Sequence, residues 1–147
     1  KIERFSPRLV YPRTPSPQPA QHIPLSSSDL AVPRVHVEVI YAFSAPPSTT
    51  SSTTTDSGST TTSSSSSMIE MGLAEVLCSY REWAGRLDLG GGRPSIVVND
   101  AGALFLEASA DAPLSELSPS FQPSRLLLDL VPVNRASPHL LLVQVNT

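Results

Sequence analysis

The sequence has little of what usually announces a function. It holds a single cysteine, Cys78, so no disulfide can close within it, and no second thiol or ligand spacing completes a zinc site around that residue. Such usage fits a reducing, cytoplasmic setting. No apolar run approaches the roughly 18 residues of a membrane span, and the opening stretch KIERFSPRLVYP lacks the apolar segment that separates a basic start from a cleavage site in a secretory leader. Neither a membrane nor a leader is indicated. Charge of one sign is also missing: ten basic residues stand against thirteen acidic ones, a net charge of −3, scattered along the chain. No stripe offers the positive footprint that grips phosphates, so nucleic acid is not an expected partner.

What is present is enough for one domain with a modest core: 147 residues, 39% of them hydrophobic. Three zones divide it. In residues 1–47, Arg8 to Tyr11 is an extended stretch bounded by prolines, and Arg34 to Phe43 alternates, with Val35, Val37, Val39, Tyr41 and Phe43 on one side and Arg34, His36 and Glu38 on the other. That period of two predicts a strand over 34–43. Residues 48–67 are almost entirely serine and threonine, a composition that buries too little apolar area to offset the entropy of ordering, so a disordered loop is expected there. Residues 68–147 then open on Ser67-Met68-Ile69-Glu70, whose spacing fits a capping box at a helix start.

The helix so begun carries Ile69, Leu73, Val76, Leu77, Tyr80, Trp83, Ala84 and Leu87 at three- and four-residue intervals, an apolar stripe that wants a sheet to pack on. Gly90 to Gly92 would reverse the chain out of it. Ser95 to Val98 and Ala103 to Glu107 read as two strands joined by Asn99-Asp100-Ala101-Gly102, residues that tolerate the positive φ of a hairpin turn. Beyond them, Pro113 to Ser118 reads as an acidic turn, Arg125 to Leu130 as an apolar run of either type, and His139 to Val145 as a buried strand.

Candidate chemistry is thin. The glycine triplet is followed by no Lys-Ser or Lys-Thr and opens no helix, so it reads as a flexible turn and not as a phosphate loop. No Gly-x-Ser-x-Gly elbow singles out one of the many serines for activation. His22 falls in a proline-rich loop, His36 on the polar side of the expected strand and His139 at a strand start, none with a carboxylate or second histidine at useful spacing. Cys78 sits mid-helix among apolar neighbours, where a buried thiol is commoner than a nucleophile, and Tyr80 and Trp83 read as core. On residues alone the chain is an α+β unit without a complete active site and without a metal site.

Four stretches taken in order, VPRVHVEVIYAFSAP (32–46), EVLCSYREWAGRL (75–87), GGRPSIVVNDAGALFLEASADAPLSEL (91–117) and HLLLVQV (139–145), resemble the N-terminal portion of the BAHD acyl-CoA-dependent acyltransferases. In that family a helix ends in an aromatic residue and Ala-Gly-Arg-Leu, here Tyr80 to Leu87, and an Asn-Asp-Ala-Gly-like turn precedes a strand ending in Glu-Ala, here Asn99 to Ala108. The resemblance implies the N-terminal part of a two-domain, chloramphenicol-acetyltransferase-like fold, a mixed sheet with one long amphipathic helix. It implies an acyltransferase moving an acyl group, hydroxycinnamoyl above all, from a coenzyme A thioester to an amine or hydroxyl acceptor. Acyl-CoA would be a co-substrate, no cofactor would be permanently bound, and the complete protein would be a monomer.

The family's general base is the histidine of a His-x-x-x-Asp motif, and a later Asp-Phe-Gly-Trp-Gly supports the fold near the coenzyme A channel. Neither motif occurs in this sequence. No catalytic residue is therefore assigned, the base is expected beyond the chain end, and the chain alone is expected to be inactive. Val39 and Tyr41 fall on the strand that in the family runs along the acceptor side of the channel, so the resemblance makes them acceptor-pocket residues, with core packing as the alternative. Arg-Glu-Trp-Ala-Gly-Arg-Leu (81–87) is similar to the subgroup that acylates amines such as agmatine, tyramine or tryptamine. The competing expectation is a truncated, non-catalytic relative serving as a binding or regulatory module.

Overall fold

The computed structural model describes residues 2–43, 65–90, 92–111, 125–128, 130–132 and 137–147. It is a mixed α+β structure built on two sheets. The first is organised by β6 (Ala103–Ala110), which has one edge along β1 (Ile2–Arg4) and β2 (Arg8–Val10), both antiparallel, and the other along β7 (Leu142–Asn146), parallel. Arg4 pairs with Ala108 and Arg8 with Phe105, so four steps along the N-terminal strand match three along β6. The extra residue is a bulge at Phe5-Ser6-Pro7, where proline has no N–H to give the ladder. The second sheet has β5 (Ser95–Val98) between β3 (Gln21–Pro24) and β4 (Arg86–Asp88), all antiparallel.

Helix α2 (Ser65–Ser79) lies on the first sheet, and a 3-10 turn at Arg81–Ala84 leads from it to β4. The core gathers where they meet: Leu77, Ala84, Ala103 and Phe105 are fully buried with Val10 beside them, and Leu73, Ala74, Leu141, Val143 and Val145 pack around the cluster. Two short helices complete the described elements, α1 (Ser27–Ala31), with a capping box in which Ser26 and Asp29 bond each other's backbone N–H, and α3 (Arg125–Leu128).

Several sequence expectations need correction. Residues 34–43 form no strand, and Val35, Val37, Val39, Tyr41 and Phe43 are 61–85% exposed. Alternation states which face wants burial, but a strand needs an edge to pair with. Both edges of β5 and of β6 are already taken by other strands, and residues 34–43 do not pair with the open outer edge of β7 either. The same occupancy removes the expected hairpin: 95–98 and 103–110 belong to different sheets, and Asn99–Gly102 is a corner between them. Asp100 (φ 51°) and Gly102 (φ 89°) do adopt the positive φ foreseen for the turn. The hairpin exists one element earlier, between β4 and β5, so the glycines at 90 and 92 lie in its loop and not at the helix end.

The helix is shifted as well. It includes Ser65, Ser66 and Ser67, so Ser67 is an interior residue and not the cap, and it ends at Ser79 instead of running to Leu87. The loop expected over 48–67 is thus contradicted at its last three positions, while 48–64 and the turn expected at 113–118 lie outside the described residues. Tyr80 and Trp83, expected in the core, are 55% and 49% exposed because the 3-10 turn rotates them off the stripe. The strand expected at 139–145 is β7, half-buried throughout, with a neighbour on one edge only among the described strands.

Candidate functional site

Val39 and Tyr41, the acceptor-side residues implied by the resemblance, lie in the extended segment 34–43 and face outward. Neither lines either of two depressions among the described residues. One, about 270 Å³, is bounded by Phe5, Ser66, Glu107, Val145 and Thr147. The other, about 350 Å³, lies between the loop Ser16 to Pro19 and the end of α2, with Cys78 and Arg81 on its wall.

Around these run three arginine-centred clusters. Arg8 donates to Glu70 of α2 (2.6 Å) and to Glu107 of β6 (3.0 Å) and lies over the Phe105 ring, 4.8 Å from its centroid. Its hydrogen bonds to the two carboxylates raise its pKa further, and Arg8 in turn, with Ser66, holds Glu107 below the usual carboxylate range. Arg81 donates to Asp100 (2.6 Å) and to the Thr14 carbonyl (2.8 Å), while Asp100 also accepts the Ser16 N–H (2.8 Å). Arg86 has no carboxylate partner among the described residues. Its guanidinium donates to the carbonyls of Gly85, Ala101 and Gly102 at 2.7–2.9 Å, fixing the corner between the sheets, and burial lowers its pKa.

The histidines are spread among these supports. His22 is not in a loop but in β3, with Nδ1 3.2 Å from the Ser95 hydroxyl. That pair superficially matches a base and a nucleophile, yet Ser95 is 4% exposed and no acid among the described residues orients the imidazole, so it is a cross-strand tie. His36 donates from Nε2 to the His139 carbonyl (2.8 Å). His139 bridges Arg86 at the start of β7, and burial, then the charges of Arg86 and His36, push its pKa below the ordinary value.

Cys78, expected to be a buried thiol, is half-buried. It accepts from Thr14 (3.5 Å), which lowers its pKa, and donates to the Ala74 carbonyl (3.4 Å). No group of three His, Cys, Asp or Glu side chains among the described residues could hold a metal ion, and no described helix is long and apolar enough to cross a membrane. The three arginine clusters link residues up to 99 positions apart, a pairing that no local pattern in the sequence signals.

Together these contacts tie the helix and the two sheets to one another, and among the described residues no base, nucleophile and acid stand in reach of one another. Vinorine synthase, whose crystal structure aligns over 79% of this chain and 25% of its own at a TM-score of 0.54 and 24% identity, shares the fold. Agmatine coumaroyltransferase-1 of Hordeum vulgare is 39% identical over 86% of this chain and 26% of its own length. Agmatine hydroxycinnamoyltransferase 1 of Oryza sativa subsp. japonica is 37% identical over 99% of this chain. The chain spans 30% of the length of that second relative. The transferase family model matches residues 1–147, and the chain therefore belongs to that family, the BAHD acyltransferases.

Proposed function

We propose that residues 1–147 serve as the N-terminal scaffold of an acyltransferase that moves a hydroxycinnamoyl group from its coenzyme A thioester to an aliphatic amine such as agmatine. The observation that carries this reading is the 37–39% identity to two agmatine-acylating relatives over 86–99% of the chain. The chain supplies position, not proton transfer. His22 is paired with a serine hydroxyl and His36 with a backbone carbonyl, while His139, whose Nδ1 has no partner among the described residues, is held beside the charge of Arg86, which disfavours taking up the ammonium proton from the attacking amine. Val39 and Tyr41 face the acceptor in this reading, presented by the extended segment, and acyl-CoA is a co-substrate and not a bound cofactor.

A chimera tests it: residues 1–147 replace the matching quarter of the barley relative, and transfer from coumaroyl-CoA to agmatine is followed by mass spectrometry. The expected outcome is coumaroylagmatine from the chimera and none from residues 1–147 alone, where the general-base contribution of about 10²–10⁴ in rate is missing. A folded chimera that acylates no amine would overturn the reading. Turnover by residues 1–147 alone, lost on His36→Ala or His139→Ala, would overturn the division of labour.

A further inference from the structure

Segment 33–43 has the exposure of a loop and the sequence of a strand, which raises the question of what holds it. Its internal tie is the Val35 N–H to the Pro33 carbonyl (2.9 Å), and that bond anchors it to nothing else. Its one hydrogen bond to another described element runs from His36 Nε2–H to the His139 carbonyl, 103 positions away. The acceptor of that bond stands on a fixed base. His139 is bridged to Arg86 of β4, its backbone N–H bonds the Ser137 hydroxyl, and the Leu141 carbonyl two residues on accepts from the N–H of Leu104 in β6. Arg86 in turn grips the corner at Ala101 and Gly102.

We propose that His36 is a positioning residue, a latch that hangs segment 33–43 on the start of β7 and thereby fixes where Val39 and Tyr41 stand. Val39 and Tyr41 follow His36 by three and five residues, and all three are exposed. A bond at His36 therefore limits how far Val39 and Tyr41 can move from the start of β7. The acceptor role of Val39 and Tyr41 rests on the reading given above, whereas the latch rests on the His36 contact alone.

The test is limited proteolysis of the purified chain by chymotrypsin, reading cleavage after Tyr41 and after Phe43 by mass spectrometry. His36→Ala is expected to speed both cuts about two- to tenfold, the range set by losing one hydrogen bond that restrains local opening. His36→Gln, whose terminal amide can place an N–H near the same carbonyl, is expected to cleave close to the wild-type rate. Urea midpoints should agree among the three, since the side chain is exposed. Unchanged cleavage in His36→Ala, or His36→Gln as fast as His36→Ala, overturns the latch. Because no transfer is measured, that failure leaves the acyltransfer reading standing, and failure of the chimera leaves the latch standing.

Discussion

Two ion pairs formed by neighbouring parts of the same helix–turn region differ mainly in how much water reaches them. Arg13 and Glu75, at 3.2 Å, have side chains 74% and 64% exposed, whereas Arg81 and Asp100, at 2.6 Å, are 20% and 19% exposed. Solvent screens the first, while losing Arg81 strands Asp100 in a tight corner at positive φ. Arg81→Ala is therefore expected to cost about 2 kcal/mol and Arg13→Ala under about 0.5 kcal/mol, read from urea unfolding midpoints. His139 sets a pH dependence. Its pKa is lowered in the folded protein by burial, by Arg86 and by His36, so the unfolded chain takes up the proton more readily. Stability is then full above the ordinary histidine value of 6.5 and falls as the pH drops through it. Urea midpoints at pH 7.5 and 5.5 should differ more for the wild type than for His139→Gln, and equal differences would show that His139 is not the titrating group. None of this was legible in the sequence, because Arg8 meets Glu70 and Glu107 across 62 and 99 positions and Arg81 meets Asp100 across a change of sheet.

At the level of elements, Gly85 decides whether the 3-10 turn can pass directly into β4. A Cβ there would press into the Val97 carbonyl oxygen and lie 3.0 Å from that of Glu82, both backbone atoms that cannot swing aside. Its φ of −85° and ψ of −164° are open to any residue, so the barrier is steric and not conformational. Gly85→Ala should cost about 1–3 kcal/mol by overpacking, whereas Gly72→Ala, with nothing within 4 Å of the added methyl, should be neutral or slightly stabilising. Thermal unfolding of the two variants separates these outcomes, and equal midpoints would remove the steric account. The sequence made the element types readable here but not their partners. The positive-φ corner was visible and is real, whereas of the expected stripe Leu73, Leu77 and Ala84 reach the core and Ile69 and Val76 stand 45% and 53% exposed. The turn of direction at Tyr80 and the assignment of 95–98 and 103–110 to separate sheets depend on edges already occupied by β3, β4, β1, β2 and β7, which periodicity does not encode. The cap of α1 is the opposite case: Ser26 and Asp29 follow the spacing of a capping box and could have been read.

For the whole molecule, the unmet strand pattern has a consequence in solution. Val35, Val37, Val39, Tyr41 and Phe43 put five apolar side chains on the exposed surface of segment 33–43, an arrangement that invites association with another chain. The outer edge of β7 adds a second row of backbone groups with no strand beside it among the described residues. A net charge of −3 over 147 residues opposes association only weakly. The purified chain is therefore expected to self-associate with concentration, and Val37→Lys to suppress it, because Val37 is 85% exposed at the middle of the segment and a charge there must be desolvated when a partner arrives. The fold should tolerate the change, with stability within about 0.5 kcal/mol of the wild type, as for surface substitutions generally. Sedimentation velocity across a tenfold concentration range reads the effect. A wild-type chain that stays monomeric throughout, or a Val37→Lys variant that associates as strongly, would mean that this surface is not the adhesive one.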